Sequence, residues 1–187
     1  MSDKECLRRY REGDAEALHE LVERYKRPLF GFIVNMTGGN EADEIFQEVW
    51  FKVIRKIDRY RDKNFMGWLM RIARNIVIDR ARRKKPVFSL DEEREDGWSR
   101  SQTISSDVID PAGNLQDGEL GIRITQAVSE LPAEQKEVFL MRMQAGISFK
   151  EIAKIQKVSI NTALARMQYA LSKLRPMLQT DYDELAV

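Results

Sequence analysis

Two sets of side chains recur at helical spacing and together carry the recognition chemistry of this chain. Glu44, Gln47, Glu48, Phe51 and Arg55 fall on one side of one period, with Asp43 beside them. Further along, Arg71, Arg74, Asn75, Ile78, Arg82 and Lys85 share one side of a second. Asp43, Glu44 and Glu48 could be imagined as metal ligands, and solvated acids on a helix are the simpler reading. The chain has one histidine, His19, and one cysteine, Cys6, so no thiolate or imidazole cluster can form. No His- or Cys-based nucleophile and no glycine-rich phosphate loop is present. The expectation is no catalytic centre, no metal and no cofactor, with His19 an ordinary surface residue and Cys6 an incidental thiol. What remains is binding. An outward aromatic among carboxylates, Phe51, suits a protein partner. A cationic face with one amide suits a phosphate backbone plus a base edge.

Apolar stripes must position these faces. Ile45, Phe46, Val49, Trp50, Val53, Ile54 and Ile57 form one continuous stripe behind Phe51. Trp68, Leu69, Ile72, Ala73, Ile76 and Val77 form the buried side of a helix expected over Met66–Lys85. A first helix is expected to begin near Asp14 and to carry Leu18, Leu21, Val22, Tyr25, Leu29 and Phe32, kinked or restarted at Pro28. Breaks fall at Gly38-Gly39 and in the polar loop from Arg59 to Asn64.

At 187 residues with 43% hydrophobic content, the chain has room for one large or two small domains. Its net charge of +1 hides an asymmetry. Lys52 to Lys85 holds thirteen Lys and Arg against three Asp, whereas Pro86 to Glu119 holds nine acids against two bases. A nucleic-acid surface beside an acidic linker fits that pattern. Residues 86–119 lack any sustained period, and Phe88, Leu90 and Trp98 are scattered through them. No apolar run approaches the roughly 18 residues of a membrane span, and no signal-peptide core follows Met1, so a cytoplasmic protein is expected.

Beyond the linker the helical period returns, in four helices expected over Leu120–Leu131, Pro132–Ala145, Ser148–Gln156 and Ile160–Arg175. Ser148 with Glu151 has the spacing of a capping box, and Pro176 is expected to close the last helix. The last two, joined by Lys157-Val158-Ser159, have the length of a helix-turn-helix. Ile160, Ala163, Met167, Ala170, Leu171 and Leu174 are its expected buried side; Asn161, Thr162, Ala165, Arg166, Gln168, Tyr169, Ser172 and Lys173 face outward. Spacing alone leaves two readings open, a DNA-reading helix or a helical hairpin with a solvated face.

Two motif blocks resemble a bacterial sigma factor of the extracytoplasmic-function (ECF) group, in the sigma-70 family. The first is Glu41-Ala42-Asp43-Glu44-Ile45-Phe46-Gln47-Glu48-Val49-Trp50, then Phe65, Trp68-Leu69, Arg71-Ile72-Ala73-Arg74-Asn75, Ile78-Asp79 and Arg82-Arg83. The second is Leu131-Pro132, Val138-Phe139-Leu140 and Glu151-Ile152-Ala153. The resemblance implies an all-α protein of two small helical domains: residues 1–85 like region two, a flexible acidic linker 86–119, and residues 120–187 like region four. It implies that Asp43, Glu44, Gln47, Glu48, Phe51 and Arg55 grip the β′ clamp helices of core RNA polymerase. Arg61, Lys63, Asn64, Arg71, Arg74, Asn75, Arg82 and Arg83 would capture the unwound −10 element, with the loop Arg61-Asp62-Lys63-Asn64 accepting a flipped base. Asn161, Thr162, Ala165, Arg166, Tyr169 and Lys173 would meet the −35 element. Partners implied are core RNA polymerase, through its β′ clamp helices and β flap, and promoter DNA; an anti-sigma factor is a further partner the resemblance allows. The linker, with Asp91, Glu92, Glu93, Glu95 and Asp96, resembles the connector that threads the RNA exit path.

Departures fall in the second block. Lys157 stands where such proteins usually have glycine, Leu164 where a basic residue is usual, and Tyr169 at a position often basic. Fewer cations there imply fewer phosphate contacts. Two other readings compete. A stand-alone helix-turn-helix regulator leaves Phe51 and its acidic surroundings unexplained, and an enzyme lacks a constellation. Trp68, on the buried stripe, reads as core rather than as a DNA-melting wedge.

Overall fold

The computed structural model describes the backbone of residues 2–61, 64–84 and 119–185. Among the described residues all regular structure is helical: α1 (Asp3–Arg11), α2 (Ala15–Thr37), α3 (Ala42–Lys56), a 3-10 turn (Ile57–Arg59), α4 (Phe65–Lys84), α5 (Glu119–Ser129), α6 (Ala133–Met143), α7 (Phe149–Gln156) and α8 (Ile160–Leu185). Helices α1–α4 pack together as one unit and α5–α8 as another, with α5 and α6 also against α2, and α7 against α4. Asp62, Lys63, Lys85 and the acidic stretch 86–118 lie outside the described residues.

In the first unit an aromatic cluster joins every long helix. Phe65, at the start of α4 and 2% exposed, meets Tyr25 of α2 at 5.5 Å, Trp50 of α3 at 6.5 Å, and Tyr60 and Trp68 at 5.6 and 5.7 Å between ring centroids. Trp68 also lies 4.6 Å from Tyr60 and is half-buried, so it works as packing here. Leu21, Leu29, Phe32 and Ile33 of α2 and Leu69, Met70 and Ile76 of α4 complete the core.

Several expectations need correcting. A helix, α1, precedes the one expected to be first: Ser2 accepts from the Glu5 N–H, and Cys6 and Leu7 turn inward. Cys6 is therefore a buried core residue. Neither proline interrupts its helix. α2 runs unbroken through Pro28 and α8 through Pro176. Burial of Leu29, Phe32 and Ile33 rewards continuing α2, which outweighs the one backbone donor lost. The Ser148–Glu151 box is only half made. Ser148 Oγ accepts from the Glu151 N–H at 3.4 Å, but the Glu151 carboxylate turns to Arg71 and Lys154 instead. Ile54, Ile160 and Leu171, expected on buried stripes, are exposed at 38, 46 and 45%.

The turn between α7 and α8 holds Lys157 at φ 58, the left-handed conformation, with the Val158 N–H donating to the Ala153 carbonyl at 3.0 Å. A Cβ is disfavoured at that φ, and glycine is the usual solution. Lys157→Gly is expected to stabilise the second unit by about 0.5–1 kcal/mol, read as a higher denaturation midpoint. A lower midpoint would mean that the lysine stem contributes packing greater than the backbone strain.

Candidate functional site

Helix α3 buries Ile45, Val49, Trp50 and Val53 and leaves Asp43, Glu44, Gln47, Ile54 and Arg55 exposed. Phe51 stands out at 65% exposure. The carboxylates are not a uniform solvated face. Glu48 is half-buried and turned toward α4, where Arg80 gathers three acids: Nη1 reaches Glu41 at 2.8 Å and Glu44 at 3.2 Å, and Nη2 reaches Glu48 at 2.9 Å. Lys52 also pairs with Glu48 at 2.9 Å. The Glu48 carboxyl is held below its ordinary range, first by Lys52 and then by Arg80. The folded value being lowered, this contribution is complete at neutral pH and fades as pH falls through it. The exposed surface of α3 thus includes Asp43, Glu44, Gln47, Phe51, Ile54 and Arg55, an apolar pair within a polar rim. Arg80 escaped the sequence reading because its partners sit about forty residues upstream, beyond any local period.

Helix α4 carries the cationic face. Asn75, Arg82 and Arg83 are exposed. Asn64 caps the helix, its Oδ1 accepting from the Gly67 N–H at 3.0 Å, while Arg61 donates to the Asp58 and Tyr60 carbonyls at 2.5 and 2.9 Å. Arg71 and Arg74 are neither fully exposed nor without partners. Arg74 Nε donates to Glu137 of α6 at 2.7 Å, and Arg71 Nη2 to Glu151 of α7 at 3.1 Å.

In the second unit Ser159 caps α8, accepting from the Thr162 N–H at 3.0 Å, and Ile152, Ala153, Ile155, Ala163, Met167, Ala170 and Leu174 are buried. Helix α7, the turn at Lys157–Ser159 and the first part of the long α8 make the helix-turn-helix. Asn161, Gln168, Tyr169, Ser172 and Lys173 are exposed, whereas Thr162 and Ala165 are half-buried. Arg166, expected outward, is drawn in: Nη1 donates to Gln156 Oε1 at 2.8 Å, and Nη2 pairs with Glu134. Among the described residues no group of His, Cys, Asp or Glu side chains is arranged to hold a metal ion.

Residues 21–87 match the family model for sigma-70 region 2, and residues 122–174 match that for sigma-70 region 4. The chain is 30% identical over 183 residues to the ECF RNA polymerase sigma factor SigW of Bacillus subtilis, covering 96% of this chain and 98% of that protein. The chain belongs to the ECF sigma factors of the sigma-70 family. A second relative, the ECF RNA polymerase sigma-E factor of Haemophilus influenzae, is 25% identical over 96% of both chains. Among solved structures the fold is similar to the sigma factor RpoE of Bartonella quintana, solved with the anti-sigma factor NepR. That match has a TM-score of 0.64 and 20% identity, over 89% of this chain and 99% of that one. It is also similar to CnrH, solved with the cytosolic domain of CnrY, at a TM-score of 0.65 and 19% identity over 96% and 98% of the two chains.

As an RNA polymerase sigma factor the chain binds core polymerase and directs promoter recognition and melting. Sigma factors are transcription initiation factors. Within this sigma factor, Arg80 ties α3 to α4 by charge, beside the Trp50–Phe65 ring contact. Arg80→Ala leaves Glu41, Glu44 and Glu48 as like charges without that shared guanidinium. We expect a destabilisation of about 1 kcal/mol at low salt that shrinks as salt is raised, measured by urea denaturation. Equal stability at all salt concentrations would show that the network contributes nothing.

Proposed function

We propose that the Phe51 face of α3 is the surface by which this sigma factor grips the β′ clamp helices, with Gln47, Ile54 and Arg55 beside it and Asp43, Glu44 and Glu48 at its edge. The observation that carries this is an aromatic ring left in solvent directly opposite the Ile45–Val53 core side, with a second apolar side chain, Ile54, next to it. A large solvent-exposed apolar pair on a well-packed helix is costly without a partner. Helix α4 then offers Arg71, Arg74, Asn75, Arg82 and Arg83 to the −10 element, and the loop with Arg61, Lys63 and Asn64 accepts a base flipped from the stack. Asn161, Thr162, Ala165, Tyr169 and Lys173 meet the −35 element; Arg166 supports that helix from within. The second unit also faces the β flap. Residues 1–85, 86–119 and 120–187 act as the two binding domains and their tether.

RpoE of Bartonella quintana, solved bound to the anti-sigma factor NepR, supports an anti-sigma factor as a regulatory partner of this chain too. Among the described residues no helix is long and apolar enough to cross a membrane. We place the protein in the cytoplasm with the polymerase, and assign no catalysis to its own residues. The stand-alone regulator remains the poorer reading, since Phe51 and Ile54 then have no role.

Phe51→Ala is expected to weaken binding to core polymerase by about 2 kcal/mol, roughly thirtyfold, with helicity unchanged. Titration of labelled chain with core enzyme measures it, and unaltered affinity would remove Phe51 from the interface. On the DNA side, Arg82→Ala in the holoenzyme should weaken all promoters alike and flatten the salt dependence, whereas Asn75→Ala should relax base preference. Identical sequence profiles for the two variants would abolish that division of labour.

A further inference from the structure

Helix α1 lies ahead of residues 21–87, and none of the recognition side chains assigned above stands on it. Its two ends nevertheless reach the two roots of the loop proposed to accept the flipped base. At its last residue, Arg11 Nη2 donates to the Ile57 carbonyl at 2.8 Å and to the Tyr60 carbonyl at 2.9 Å. At its first, Asp3 accepts from Tyr25 Oη at 2.5 Å and from Arg24 at 2.6 Å, and Tyr25 in turn packs on Phe65. Cys6 and Leu7 are buried between these ends, so the helix is seated along its length. Tyr60 and Phe65 are the loop's roots, 5.6 Å apart between ring centroids with four residues between them. Carbonyls at the end of a helical segment lack partners within it, and the 3-10 turn ends at this point. Ile57 still accepts from the Tyr60 N–H at 3.2 Å, while the Tyr60 carbonyl accepts from Arg11 and, at 2.9 Å, from Arg61.

We infer that Arg11 is a positioning residue for base capture at the −10 element, acting through the Tyr60 carbonyl on Arg61 and Asn64. The inference rests on the reading of that loop as the base acceptor. Capturing a flipped base recovers the unstacking energy only when the accepting groups already stand in place. A short loop inherits its geometry from its roots, and both roots here are held from α1. Arg11 and Arg61 play unequal parts at the carbonyl they share. A carbonyl oxygen has two lone pairs, and each guanidinium takes one. The other contact of Arg61, the Asp58 carbonyl, belongs to the same turn, so Arg61 can exchange both for a phosphate. A guanidinium binds a phosphate more strongly than a neutral carbonyl. The Tyr60 carbonyl then keeps Arg11 and is not left without a donor. Arg11 holds the turn still while Arg61 moves to DNA.

The test uses holoenzyme and a set of forked promoter duplexes whose unpaired −10 bases are varied one at a time. Asn64→Asp keeps an acceptor for the Gly67 N–H and removes the amide donor, so the position whose preference it shifts is the one the loop reads. Arg11→Ala should flatten the preference at that same position about tenfold, the size of one base mismatch. Affinity for core polymerase and the preferences at other positions should stay as they are. Arg11 is exposed, so its truncation leaves the core intact. Arg11→Lys should recover part of the preference, since an ammonium can also donate to two carbonyls. Hydrogen exchange on the free chain gives the matching structural readout: the Tyr60 amide should exchange faster in Arg11→Ala than in the unmodified protein. An unchanged Tyr60 amide, an unchanged preference at the position Asn64→Asp shifts, or a loss spread evenly over all positions would overturn the proposal while the loop reading stands. Should Asn64→Asp shift no position, the reading of the loop as base acceptor fails, and the role of Arg11 falls with it.

Discussion

The position of α4 is the constraint on which the rest depends. This one helix must bury a face against α2 and α3 and still present arginines outward, and two contacts of opposite character hold it there. At its start Phe65 sits among Tyr25 of α2, Trp50 of α3, Tyr60 after the 3-10 turn and Trp68 of α4 itself. Truncating such a ring costs about 3–5 kcal/mol, which is a large part of the stability of a small domain. Toward its other end Arg80 binds the acids of α3. The first fixes depth and the second fixes rotation, so the surfaces proposed for polymerase and for DNA keep a set angle between them.

Arginine serves both purposes, and the surroundings decide which. Around Arg80 the pairs are partly solvated and lie within one unit, so each contributes little and the network acts mainly on orientation. Around Arg74 the partner carboxylate is nearly dry and belongs to the other unit. Its electrostatics are stronger but so is its desolvation cost. Arg166 is a third case, drawn inward to brace Gln156 beneath the helix-turn-helix.

Much of this was legible before any coordinates. Helical periodicity located α3 and α4 and placed Phe51 outward, since a helix buried on one side exposes what lies opposite. Residues at the margin of a stripe were misjudged. Ile54, Ile160 and Leu171 read as core by spacing yet lie exposed, because periodicity gives an angle and not the width of the neighbour that covers it. Pro28 and Pro176 read in the sequence as local punctuation, yet both helices run on, and past Pro28 tertiary burial accounts for it. The pairs Arg80–Glu41, Arg74–Glu137 and Arg71–Glu151 join residues far apart in sequence. No local pattern announces such pairs: Arg80 and Glu137 stand out in no period, and Arg71, Arg74, Glu41 and Glu151 are visible only without their partners.

The central claim is that this chain programs core polymerase for promoters and does not act on DNA by itself. Run-off transcription with purified core polymerase on a randomised promoter library tests that most directly. The account predicts transcripts only when the chain is added, all starting a fixed distance downstream of one two-part motif. Absence of transcripts from a core enzyme that responds to another sigma factor, together with sequence-specific duplex binding by the free chain as a dimer, would contradict it.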